Sequence, residues 1–245
     1  MPYWKSLALC LRVIDYGETS QIATFFTRDL GKIAAIAKGA KRKGSRFSGA
    51  IEPLMLCEIV CAKRREQAAL HTLAELDLRD GYRGARKELE RLYQATYVIE
   101  FLREATEEED PHPELFDLAR AALARISAPE RDPLALFAFE ARALELLGLF
   151  PCLSECVECR AAMEEPFRRF SAARGGVLCG ACAGRDRAAL DASAGALSAL
   201  EVLAREPEKA LRLKLAPAQQ REIRAVLNAC VGAALERRLR LAKYL

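Results

Sequence analysis

The stretch LALCLRVIDYGETSQIATFFTRDLGKIAAIAKG, residues 7–39, decides how the first part of the chain folds. Leu7, Leu9, Leu11 and Val13 alternate along a first segment that ends at Gly17. A second segment, Gln21 to Thr27, precedes the Leu30-Gly31 turn, and a third runs from Lys32 to Lys38. A period of two is that of strands with one face buried. Outward from this stretch, Ala50 to Ala62 and Ala68 to Leu78 complete a set of short strand patterns separated by turn signals. Such a set predicts a small barrel or sandwich. Pro53 inside the fourth pattern predicts an edge position or a bulge at that strand's start.

Between the third and fourth patterns lies KGAKRKGSR, residues 38–46. No acidic residue occurs between Asp29 and Glu52, while Lys32, Lys38, Lys41, Arg42, Lys43 and Arg46 all fall there. Gly39, Gly44 and Ser45 make the segment a loop. A charge run of this kind can be an ordinary solvated one. Being acid-free, loop-borne and set between apolar strands, it reads instead as a site for a phosphate backbone, the six cations being the candidate contacts. Phe47 is the one aromatic evident beside the loop and suits core or platform alike, so base stacking is expected to be a minor term.

After Gly84 the period changes to that of helices. Leu89, Leu92, Tyr93, Thr96, Tyr97, Ile99 and Leu102 recur at helical spacing, and further helices are predicted over Glu114–Ile126, Leu134–Leu149, Ser193–Arg205 and Ala216–Lys243. The last carries Arg237, Arg238, Arg240 and Lys243 at its end, where cations complement the negative end of the helix dipole.

Between the helical patterns stand two C-x-x-C pairs, Cys156 with Cys159 and Cys179 with Cys182, with 19 residues separating the pairs. Each pair can grip one side of a tetrahedral ion through a short turn, and four thiolates leave no open position for water. The pattern predicts one structural zinc ion. Disulfides belong to short secreted chains, and Lys5, Arg12 and Asp15 interrupt the N-terminus, against a signal peptide. A reducing cytoplasm is the expected compartment. Cys152 falls outside the paired spacing, and Cys10, Cys57, Cys61 and Cys230 lie in apolar stretches as small core residues.

Several classes are excluded or disfavoured. No apolar run reaches the roughly 18 residues a membrane span needs. With only two histidines, His71 and His112, both read as structural, a serine–histidine or cysteine–histidine arrangement lacks support. Residues 39–45 hold glycines and lysines in the wrong order for a P-loop. Glu107, Glu108, Glu109 and Asp110 are contiguous and read as a solvated run. A binding protein is therefore expected, not an enzyme.

Two segments carry a resemblance. One is residues 11–54, with Asp15-Tyr16-Gly17-Glu18-Thr19, Thr27 with Gly31, Ala37 to Lys43, Ser45 and Glu52-Pro53; the other is GLFPCLSECVECR, residues 148–160, followed by FSAARGGVLCGAC, residues 170–182. Together they resemble RecO, the bacterial recombination mediator family. Arg160 departs from the family pattern, where glycine is common. The resemblance implies an α+β chain: an OB-fold barrel over residues 1–80, then a helical domain over 81–245 with the zinc module at 148–185 embedded in it. It further implies binding of single- and double-stranded DNA, annealing of complementary strands, partnership with RecR and with the acidic C-terminal tail of single-stranded-DNA-binding protein, and help in loading RecA. Association with the nucleoid follows from that role. The competing class is an RNA-binding or ribosome-associated OB-fold/zinc protein, separable by competing RNA against DNA.

Overall fold

The structure, a computed structural model, describes residues 3–42, 45, 47, 49–62, 70–163 and 167–245. It comprises two compact units, Met1–Asp132 with Lys243–Leu245, and Pro133–Ala242. The change of period after residue 80 marks the end of the last barrel strand, but packing groups the next two helices with the barrel.

In the first unit, β1 (Tyr3–Tyr16), β2 (Ser20–Thr27), β3 (Gly31–Ala37), β4 (Leu56–Ala62) and β5 (His71–Asp80) close a barrel in the order β1-β2-β3-β5-β4. All neighbours are antiparallel except β3 and β5. This closed five-stranded barrel is OB-like. Closure depends on β1, whose first half pairs with β4 and whose second half pairs with β2. Small and large residues fill the interior together: Ala8, Ala23, Ala35 and Ala37 leave room for Phe25, Ile33, Ile59 and Leu73.

The alternation along β1 is not the single face expected. Cys10 opposes Phe25 and Arg12 opposes Thr24, so Leu11 is an extra, bulged residue. A bulge switches which residues face inward. Ala8 and Cys10 line the core before it and Val13 packs there after it, while Leu9 and Leu11 are buried outside that cluster. The fourth strand also starts later than Ala50. Residues 51–54 form a turn in which Leu54 has φ 65°, held by Ile51 N–H donating to Gln21 Oε1 at 2.9 Å and Leu54 N–H donating to Cys10 O at 3.0 Å. Pro53 is thus outside the strand. Phe47 is core, 3% exposed.

The β2–β3 turn explains the Thr27–Gly31 spacing. Thr27 Oγ1 accepts from Leu30 N–H at 3.1 Å and donates to Gly31 O at 2.9 Å. Gly31 has φ 69°, and a Cβ there would lie 2.1 Å from Asp110 O. Two helices follow, α1 (Leu89–Ala105) and α2 (Pro113–Ser127), the latter opened by Pro113, whose missing N–H costs nothing at a first helical turn. Residues 107–110 have exposed side chains, yet their backbone lies along β3 through Glu109 N–H donating to Lys32 O at 2.9 Å. His71 is buried in β5 with Trp4 edge-on at 5.5 Å, and His112 precedes α2.

The second unit holds α3 (Ala135–Leu146), a three-stranded sheet of β6 (Phe167–Ser171), β7 (Gly176–Leu178) and β8 (Leu190–Ser193) in the order β7-β6-β8, then α4 (Ala194–Arg205), α5 (Pro207–Ala210) and α6 (Pro217–Ala234). Ser193 caps α4 by accepting from Ala196 N–H at 3.2 Å. Glu140, fully buried on α3, is held by Arg224 of α6 at 2.8 Å, and that guanidinium stacks 4.6 Å over Phe137. The last helix stops at Ala234, not Lys243. Leu235 N–H still donates to Val231 O, but Glu236 turns left-handed at φ 51° and ends the helix. No basic residue lies in the last turn of α6, so the dipole reading of Arg237, Arg238, Arg240 and Lys243 does not hold. Among the described residues no helix is long and apolar enough to cross a membrane.

Candidate metal centre and nucleic-acid interface

Cys156, Cys159, Cys179 and Cys182 converge, their sulfur atoms all within 4.8 Å of one another and Cys159 Sγ 3.6 Å from Cys179 Sγ. A tetrahedral ion with metal–sulfur bonds of about 2.3 Å places sulfurs roughly 3.8 Å apart, so the cluster fits one such ion. The backbone builds it. Val157 N–H donates to Val177 O at 3.0 Å and Cys152 N–H to Gly175 O at 2.9 Å, which lays the first C-x-x-C turn against β7. Gly176 permits this approach, since a Cβ there would sit 2.3 Å from Cys152 O. The second turn follows β7 directly, with Ala183 N–H donating to Cys179 O at 2.8 Å.

Arg160 has φ 63°, and its N–H donates to Cys156 O at 2.9 Å. That left-handed position is one that glycine takes without steric cost, and the arginine adopts it regardless. Cys156 and Cys182 are buried against Leu178, Ala189, Val157 and Met163. Burial pushes the Cys156 thiol up, but backbone amides of Cys179, Cys159 and Glu158 outweigh it and bring the value down to about 6. Burial, followed by the neighbouring thiols, pushes Cys182 up to about 12. Around the cluster, Glu158 bridges Arg174 and Arg185, the latter at 2.9 Å, which keeps cationic groups close to where thiolate charge gathers. Four soft donors with apolar backing, and no fifth ligand among the described residues, suit a closed site, as the spacing predicts. Cys152 is not among the clustered ligands.

On the barrel, the basic loop starts as a turn seated on the β1–β2 hairpin. Gly39 N–H donates to Ser20 Oγ at 3.3 Å, and Lys41 N–H to Thr19 O at 2.9 Å. Ala40 is buried as an anchor, leaving Lys38, Lys41 and Arg42 exposed together. Lys43 and Arg46, the other two loop candidates, lie outside the described residues. Lys41 Nζ contacts Asp15 Oδ2 at 2.8 Å. That hydrogen bond is the main reason the Asp15 carboxyl sits below its ordinary value.

Lys32 does not join this group. Its ammonium donates to Arg103 O at 2.8 Å and to Thr106 O, at the C-terminal end of α1, and burial lowers its pKa. A cation there satisfies carbonyls that a helix end leaves without partners. Strand parity puts Lys32 on the outer face, but only the packed helix shows what covers it. Sequence reasoning also missed Asp15 as a competitor for Lys41, since the two are paired only by the hairpin register.

Two family models match the chain: Recombination protein O N terminal over residues 1–82, and Recombination protein O C terminal over residues 86–242. The chain belongs to the RecO family. It is 35% identical to DNA repair protein RecO of Myxococcus xanthus over 239 residues, covering 97% of this chain and 95% of that protein. The RecO protein of Anaeromyxobacter dehalogenans strain 2CP-C is 37% identical over 242 residues, 98% of this chain and 95% of that one. That of Rhodopirellula baltica is 40% identical over 204 residues, 82% and 75% respectively. Both halves of the RecO pattern, the barrel opening and the cysteine module, are thus on one chain.

Proposed function

We propose that this RecO-family chain is a DNA repair and recombination mediator that binds single- and double-stranded DNA and anneals complementary strands. The observation that carries the reading is the exposed group Lys38, Lys41 and Arg42, fixed by backbone hydrogen bonds to the mouth of an OB-fold barrel. Cations so placed neutralise phosphates and release counterions, giving salt-sensitive affinity independent of sequence. Annealing needs two strands held close with their repulsion screened while base edges stay free. The names of the relatives support the repair role.

In this reading the four cysteines hold one structural zinc ion, which would brace the turns between α3 and α4. The protein works without making or breaking covalent bonds, in the cytoplasm at the nucleoid. RecR and the acidic tail of single-stranded-DNA-binding protein are its partners, and RecA is loaded downstream. The test is strand annealing on DNA coated with single-stranded-DNA-binding protein, with and without RecR. Annealing faster than the uncatalysed rate supports the reading; no acceleration on coated or naked strands, or a strong preference for RNA of equal length, counts against it.

A further inference from the structure

The outer face of the barrel is covered at one end and open at the other. At the covered end, Phe26 of β2 is fully buried with the Phe116 ring of α2 at 6.1 Å, Lys32 reaches the end of α1, and Arg28 holds Asp117 of α2 at 3.0 Å. The other end carries an apolar ladder. Ile14 of β1 pairs with Ile22 of β2, which pairs with Ile36 of β3. All three have outward parity after the β1 bulge, opposite to the inward Val13, Ala23, Ala35 and Ala37. Ile14 is 44% exposed and Ile22 and Ile36 are half-buried. Beside them Tyr16, paired with Ser20, is 57% exposed.

This patch is bordered by cations. Arg12 flanks the ladder on β1, and Lys38 and Arg42 stand at its loop end, none of them in an ion pair among the described residues. Asp15, the acid closest in the register, is engaged by Lys41. Three strands at about 4.8 Å spacing spread the ladder over roughly 10 Å, enough for about two bases. Glu18 is the exposed acid at the hairpin tip, on the far side of Tyr16 from Arg12. Apolar surface flanked by positive charge on the strand and at the loop suits a ligand with flat, apolar faces on an anionic backbone.

We propose that Tyr16 and the Ile14–Ile22–Ile36 ladder form a base-stacking platform for single-stranded nucleic acid, with the Lys38–Arg42 turn holding the adjoining phosphates. The inference rests on the DNA-binding reading above and deepens it by naming the form bound here. In a duplex the base faces are already stacked on one another, so only unpaired bases can use this surface. Stacked by their faces, such bases keep their pairing edges free for a second strand. Stacking is then a principal term, contrary to the expectation from the scarcity of aromatics beside the loop.

The test uses the full chain and three probes: a thymidine oligomer, an abasic strand of equal length and a duplex. Tyr16→Ala should weaken the thymidine oligomer about 5- to 150-fold, the range of one lost base stack. Binding to the abasic strand and duplex should change by less than about two-fold, with no change in salt slope because no phosphate contact is lost. Tyr16→Trp should restore binding, and Ile14→Thr should show the same selectivity if Tyr16→Ala lowers the melting temperature. Unchanged thymidine binding, an equal loss on all three probes, or a change only in self-association measured by sedimentation overturns the platform. A parallel Lys41→Ala/Arg42→Ala variant keeps the two readings apart. If it weakens every probe while Tyr16→Ala weakens none, only the platform falls; if it weakens none, the loop reading falls as well.

Discussion

Asp15→Asn should make the protein bind DNA more tightly. Lys41 Nζ lies 2.8 Å from Asp15 Oδ2, so a phosphate must compete with this carboxylate for the ammonium and approach a second negative charge in doing so. Asparagine keeps the shape, removes the charge and leaves Lys41 free. The pair is exposed, so folding stability should barely change. One cation fully released to the backbone should steepen log affinity against log salt by about 0.7 on single strands and about 0.9 on duplex, with affinity at moderate salt rising on the order of two- to five-fold. Acid cannot substitute for the mutation near neutrality. The Asp15 carboxyl is held below its ordinary value chiefly by Lys41, so the pair is intact above the unfolded carboxylate range near pH 3.9 and is lost only as pH falls through the lower folded value. Fluorescence anisotropy titrations at several salt concentrations, at pH 7, measure both quantities. An unchanged affinity and slope in Asp15→Asn would show that Lys41 never reaches a phosphate.

Three further changes probe the frame. Arg224→Ala takes from the fully buried Glu140 carboxylate the guanidinium at 2.8 Å and removes the cation over Phe137, so denaturant unfolding should show a loss of about 3–5 kcal/mol in the second unit; a loss below about 1 kcal/mol would deny the pair its role. Cys156→Ser or Cys182→Ser should abolish stoichiometric zinc by elemental analysis and raise hydrogen exchange across residues 148–185 while the barrel stays protected; retained metal in both would remove the four-thiolate assignment. Gly31→Ala must force a Cβ to within 2.1 Å of Asp110 O at a left-handed residue, so the β2–β3 turn and residues 107–110 should lose exchange protection, and unchanged protection would contradict the packing of that segment on β3.

What the sequence made legible was periodicity and spacing. The strands announced themselves by alternation because each has one face on the barrel core, and the metal cluster by a C-x-x-C spacing that the short turns require. The bulge at Leu11 was hidden, because Leu9 and Leu11 are buried as well, on the face opposite Ala8 and Cys10, and a β-strand apolar on both faces masks a change of parity. The end of α6 was hidden for a related reason: no glycine follows Ala234, and the left-handed residue is Glu236, so the arginines after it read as more helix. Lys32 was misplaced because its partners are main-chain carbonyls more than 70 residues away, which leave no trace in side-chain pattern. The small β6–β8 sheet escaped notice because its strands are three to five residues long and one C-x-x-C turn precedes β6 while the other separates β7 from β8.

The central claim is that the cationic turn on the barrel carries DNA binding, and its most direct test is the salt dependence of affinity in Lys38→Ala/Lys41→Ala/Arg42→Ala. Three lost phosphate contacts should flatten the slope by about 2 on single strands and about 2.7 on duplex, at every sequence alike, and suppress annealing with little change in melting temperature. A wild-type slope and affinity in this variant, with binding abolished instead by charge reversal at Arg237, Arg238 and Arg240, would contradict the account and place the DNA site on the second unit.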